Sequence, residues 1–260
     1  FVNTVSTPPA EIRLTAMRNA DLHGNLAATG DVSIVAGAAV EFYDSAWRMG
    51  SLTLSSLSAN MGYPVSATAQ SQRGATFDAD TALTLTATDA LNVNAAVLMT
   101  TRAASSIIDL KAANIQLVGT LHAGAQIVNN AAVASANAGV VMVAATDTLK
   151  LGVTPAAGNG VSVARGANVL STGSITLTGG SGASNAAEAG TGLWLDGNSR
   201  VAVQNVAGTG SGNITLTGNK DIRVDGYVEA AQIGGTVNLN AARQVELNGF
   251  VKGYNSVTIN

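Results

Sequence analysis

Along most of this chain apolar and polar residues alternate in short runs, and the runs return at intervals. Two runs near the end carry the pattern with least added. In NITLTGNKDIRVDGYVEA, Ile214, Leu216, Ile222, Val224 and Val228 hold the places taken by Val237, Leu239, Val245, Leu247 and Val251 in TVNLNAARQVELNGFVKG. Gly218 and Gly226 fall on Ala241 and Gly249, while few polar letters agree. A period of two belongs to a strand with one buried face. A helix needs apolar residues three and four apart, and no run supplies them. Gly, Asn, Asp and Thr between the runs suit corners, Gly and Asn because they tolerate left-handed backbone.

The same frame extends backward through Ile12 and Leu14, Val32 and Ile34, Leu52 and Leu54, Leu83 and Leu85, Ile108 and Leu110, Val141 and Val143, and Ile175 and Leu177. In the Val141 unit the second run is Leu149, Leu151 and Val153. First apolar positions stand at 12, 32, 52, 83, 108, 141, 175, 214, 237 and 257, and the shortest spacing, 20, occurs three times. The basic unit is therefore about 20 residues, and longer spacings are that unit with insertions. Strands this short cannot bury an apolar face alone, but stacked units share a core. The reading is an all-β chain folded as a parallel β-helix of about nine coils, roughly 45 Å long at ~4.8 Å per coil. It forms a single segment, 1–260, with the longer insertions near 55–82 and 179–213. Leucine-rich, calcium-binding nonapeptide and hexapeptide repeats are set aside because their ladder Asn, G-G-x-G-x-D and strict period of six are missing.

Composition narrows the function. Charged residues make up 11% of the chain, against about 25% in an ordinary soluble domain. The net charge of −3 and the four lysines leave no electrostatic footprint for nucleic acid. No apolar run approaches the ~18 residues of a membrane-spanning helix. Without cysteine there is no disulfide framework, thiolate metal site or thiol nucleophile. The opening FVNTVSTPP lacks a Met and a basic leader, and neither end carries a polar cap. An internal piece of a longer secreted fibre is expected.

These residues resemble the filamentous haemagglutinin-like exoproteins of Gram-negative bacteria, which leave the cell by two-partner (type V) secretion. The shared signature is G-x-[IV]-x-[LV]-x-A, a short polar turn, then [IVL]-x-[VL]-x-G-x-[IVL]-x-A. It stands here as GSITLTG, GNITLTGNKDIRVDGYVEA and GGTVNLNAARQVELNGFVKG. The resemblance implies a right-handed parallel β-helix serving as the structural and adhesive stalk of a secreted or surface-exposed adhesin. Its implied partners are a host or bacterial cell-surface protein or glycan, and an outer-membrane secretion pore during export. The amino-terminal secretion domain of the family, with its N-P-N-G motif, is absent from these residues. Rival readings are a carbohydrate-active enzyme on the same scaffold and the stalk of a contact-dependent inhibition toxin.

Glycosidic hydrolysis needs two facing carboxylates, and Asp78 and Asp80 in TFDADT are the nearest pair, read as a solvated corner. His23 and His122 both precede a small-residue corner, in DLHG and TLHAG, and are assigned one repeated outward position. GTGSGN lacks the Lys and helix of a phosphate loop. No catalytic, metal or cofactor site is assigned. Insertions in repeat proteins often mark the binding face, so Trp194, Arg200, Tyr63 and Arg73 are the candidate ligand-binding residues. If Leu193 and Leu195 are core, Trp194 points outward. Trp47 and Tyr43 stay open between core and surface.

Overall fold

A computed structural model describes residues 2–4, 11–62, 74–128, 131–134, 139–144, 160–179, 192–204 and 212–260. Every regular element there is a strand. Twenty-three strands join into one sheet, whose pairings are all parallel, and Ala125–Val128 with Ala131–Ala134 form a separate antiparallel pair.

The sheet is made of three ladders. In the first, Ile12, Val32, Leu52, Leu83, Ile108, Val140, Ile175, Ile214, Val237 and Val257 stand side by side in register. The second runs through Ala59, Leu91, Ile115, Val161, Leu193, Ile222 and Val245. The third runs through Leu26, Trp47, Phe77, Met99, Leu121, Val169, Val201, Val228 and Val251. Their buried side chains form one continuous cluster. At roughly 1.5–3 kcal/mol for each buried Val, Leu, Ile or Phe, that cluster is the main source of stability. Backbone groups are used up between neighbouring strands, so the wall and its interior are built together.

The expected right-handed parallel β-helix of about nine coils is corrected by this connectivity. The strands are not parcelled into discrete coils. They merge into one parallel sheet, nearly closed on itself and barrel-like, around the core. Two strands run straight through places where corners were expected: Ala39–Met61 has 23 residues and Thr76–Val93 has 18. Both bend by dropping residues out of register. Asp44, at φ 44°, is skipped where His23 faces Tyr43 and Gly24 faces Ser45. Gly50 and Leu57 are skipped in the pairing of the two long strands. These are bulges, which turn a strand without ending it, and alternation alone does not reveal them.

Two further expectations move. Val140, not Val141, stands beside Ile108, and it is 1% exposed. VVMV is apolar at both parities, so its frame could not be read from period two. Part of both presumed insertions belongs to the wall: Leu193–Leu195 and Arg200–Val203 lie inside 179–213, and 55–61 and 76–82 are strand. In the unit opening at Val140 the second and third ladders are filled by Val161–Val163 and Asn168–Ser171. Leu149, Leu151 and Val153 lie outside the described residues.

Candidate functional site

Period two sends alternate side chains outward, and each ladder presents its own chemistry. Of the four candidate ligand residues, Tyr63 and Arg73 lie outside the described residues. Trp194 and Arg200 are described, and both sit in the wall on neighbouring ladders.

Leu193 and Leu195 are fully buried, so Trp194 points outward as their burial requires. Its indole is not free. Nε1 donates to Asp225 Oδ2 at 2.8 Å, and the same carboxylate accepts from Arg223 Nε at 2.7 Å and, on Oδ1, from Asn248 Nδ2 at 2.8 Å. Burial works against ionisation of Asp225, but the bonds from Asn248, Trp194 and Arg223 outweigh it and hold the carboxyl below its ordinary value. Trp194 thus closes a polar cluster over half-buried ring surface.

On the third ladder Arg200, Tyr227 and Phe250 are register neighbours. The Arg200 guanidinium lies 5.8 Å from the Tyr227 ring centre, and Tyr227 stacks on Phe250 at 4.8 Å and 8°. Tyr227 Oη donates to Glu229 Oε2 at 2.5 Å, and Lys252 Nζ reaches Glu229 Oε1 at 3.0 Å. The Tyr227 bond, then Lys252, hold Glu229 below its usual range despite some burial. Sequence spacing missed this stack because its three members are more than 20 residues apart in turn, and only register unites them.

Asp78 is corrected from solvated corner to buried anion. It is 4% exposed and accepts from Thr100 Oγ1 and Arg102 Nε, each at 2.8 Å, with Arg48 Nε at 3.5 Å. Asp80 pairs with the other end of Arg48. The bond to Asp78 raises the Arg102 pKa further above its ordinary value. Arginine holds both carboxylates, which turns them from general acid and base into a structural clasp. Beside them Glu11, Asp31 and Asp80 line a cleft of about 510 Å³. Each has a partner there: Arg13 for Glu11, Ser51 for Asp31, Arg48 for Asp80. Among the described residues no three carboxylates or imidazoles are grouped to hold a metal ion.

The histidines do not share a position. His23 is exposed, beside Tyr43 in register and 5.2 Å from it between ring centres. His122 is on the third ladder, 3% exposed, with Nε2 2.8 Å from Gln204 Oε1. Burial depresses its pKa, against the smaller opposing effect of Gln204. Trp47 is a core residue, edge-on to Phe42 at 5.1 Å, its Nε1 donating to Gly24 O at 3.1 Å. Tyr43 faces outward and bonds Glu41.

The first ladder differs from both. From Ile175 on, its outward columns read Thr176, Thr215, Asn238, Thr258 and Thr178, Thr217, Asn240, with Asn260 amide-bonded to Asn240 at 2.8 Å. None of these residues is ionisable. At the corner beside the second column lies a groove of about 300 Å³, lined by Thr178, Thr217, Gly218, Asn219, Asn240, Ala241, Ala242 and Asn260. Sequence reading passed over it as the least decorated part of the repeat.

Comparison with protein-family models, with curated proteins and with solved structures finds no match for this chain.

Proposed function

We propose that this chain is a structural and adhesive segment of a secreted or surface-exposed bacterial adhesin, attaching to cells or surfaces through its outward faces. The observation that carries this reading is the register of the first ladder, held from Ile12 to Val257 around one apolar cluster. Such a wall resists deformation, because moving one layer breaks the hydrogen bonds of its neighbours. It also repeats outward positions at fixed intervals, which suits display and attachment. The repeat signature shared with filamentous haemagglutinin-like exoproteins supports the same reading. The strongest charge pair of catalytic type, Asp78 with Asp80, is committed to arginines, which weighs against the carbohydrate-active alternative.

The test is attachment. Beads bearing the full chain are expected to be retained on epithelial cells or on bacterial lawns well above beads bearing albumin. Retention no greater than albumin on both surfaces would overturn the adhesive reading.

A further inference from the structure

We propose that the groove beside Thr178, Thr217 and Asn240 is a subsite for a neutral, hydroxyl-rich glycan chain lying along the stacking direction. This deepens the adhesive reading and rests on it.

The chemistry of the lining selects the ligand class. A sugar hydroxyl donates and accepts at once, and threonine hydroxyls and asparagine amides are the side chains that answer both needs. Thr178 and Thr217 are half-buried, and their hydroxyls take no protein partner among the described residues. Asn240 accepts from Asn260 through Oδ1, which leaves its amide nitrogen to donate elsewhere. Gly218, Ala241 and Ala242 carry no bulk, so a ring can lie against the floor with its C–H face on apolar surface.

The electrostatics exclude charged polymers. None of the eight lining residues has an ionisable side chain. Three ion pairs of the same layers lie elsewhere, Arg243 with Asp221 at 2.6 Å, Arg223 with Asp225 at 2.7 Å and Lys252 with Glu229 at 3.0 Å. Glu246 is bonded by Asn248, and Lys220, next to Asn219, is fully buried and out of a ligand's reach. An acidic polysaccharide or nucleic acid would find no free cation at the groove to replace its counterions. A neutral chain loses nothing there.

Geometry supplies the direction. Thr178, Thr217 and Asn240 are successive register neighbours. Equivalent groups therefore recur at the strand separation of about 4.8 Å, a step on the order of one pyranose ring. An extended glycan parallel to the stack meets a hydroxyl or amide at each ring. Further along the same columns, Asp109 and Lys111 pair with each other at 2.8 Å, so the neutral tract belongs to the later layers.

Native affinity electrophoresis of the full chain tests this, with hydroxyethyl cellulose, laminarin or yeast mannan cast in the gel and dextran sulfate as the charged probe. At least one neutral polymer is expected to retard the chain. The double variant Thr178→Val and Thr217→Val keeps shape and β-propensity while deleting both hydroxyls. It should weaken that retardation about tenfold, the worth of one or two hydrogen bonds, while Lys252→Ala leaves it unchanged. Circular dichroism checks the fold of each variant, and Asn240→Ser, a second and independent change in the lining, should show the same loss. The proposal is overturned if no neutral probe retards the chain, if only dextran sulfate does, or if the groove variants migrate as the parent. Bead attachment that survives such a result leaves the adhesive reading standing and removes only this site. Failed attachment removes the adhesive reading itself.

Discussion

The layers before residue 124 and those after residue 192 use one period and build different interiors. In the third ladder the earlier part stacks Trp47, Phe77 and Met99, and the later part stacks Val201, Val228 and Val251. Phe42 meets Trp47 and Phe77 edge-on, and Trp47 and Phe77 are tilted to each other, with ring centres 4.9–6.4 Å apart. Large rings need room, and the strands around them are long and bulged. The valine layers need little, and their strands are four to six residues with clean corners at Asn219–Lys220 and Asp225–Gly226. The earlier part buries the Asp78 carboxylate beneath Arg48 and Arg102, while the later part keeps its ion pairs nearer the surface and buries the cation Lys220 completely. Corner shape follows interior volume, and the alternation of apolar and polar residues encodes only the inward direction.

The contrast is broken most severely from inside. Leu239→Asp places a carboxylate between Leu216 and Ile259, where the native side chain is fully buried. A loss of about 5 kcal/mol is expected from the missing leucine and the buried acid together. Hydrogen exchange should report it as opening of 214–260, with the aromatic layers still protected. Equal opening of 26–123 would mean that the two regions unfold as one. Phe77→Ala should cost about 4 kcal/mol and spread further, since Phe42, Trp47 and Met99 all lose a neighbour. Urea midpoints of the two variants give the comparison directly.

Arg102→Ala sharpens the electrostatic side. Asp78, its side chain 6% exposed, would keep only Thr100 and the longer contact to Arg48. About 2 kcal/mol is expected, less than for a fully buried pair because Arg102 is itself partly exposed. A matching change at the exposed pair, Arg243→Ala, should move the thermal midpoint by an amount worth under about 1 kcal/mol.

Acid separates the regions by pH. The folded His122 imidazole resists its proton, whereas the unfolded one binds it near 6.5, so the unfolded chain gains protons first. Stability from this residue is complete above about 6.5 and falls as pH drops through that value. Asp225 and Glu229 are held below their ordinary 3.8 and 4.5, so their contribution persists until pH falls below about 4.5. Melting between pH 7 and 5 should therefore show a decline that His122→Gln removes, and the steeper loss below 4.5 should remain. At the smallest end, Asn238→Asp on the outward column should change stability by no more than about 0.5 kcal/mol.

The inward positions were legible wherever one parity alone was apolar, as at Ile12, Leu83 or Ile214. They were misread at VVMV, where both parities are. The outcome for Trp194 was legible from its two leucines, but its bond to Asp225 was not, because Asp225 comes from the next layer. The closed form of the sheet was equally hidden: bulges at Asp44, Gly50 and Leu57 carry strands past places that looked like corners. The groove was overlooked for a different reason. Threonine and asparagine repeated outward are ordinary strand surface in one dimension, and they become a lined channel only once Thr178, Thr217 and Asn240 are brought side by side.

One consequence follows from the parallel registry. In the first ladder each strand is joined to its neighbour by a rung of parallel hydrogen bonds, and the rungs follow one another along the ladder. Tension applied at the two ends along that direction loads one rung of bonds at a time rather than all together. Each rung that yields frees a length of chain, and a 20-residue layer such as Val237 to Val257 releases up to ~70 Å when fully extended. The force resets before the next layer is pulled. A chain of this construction takes up a sudden pull in steps, lengthening as each rung yields.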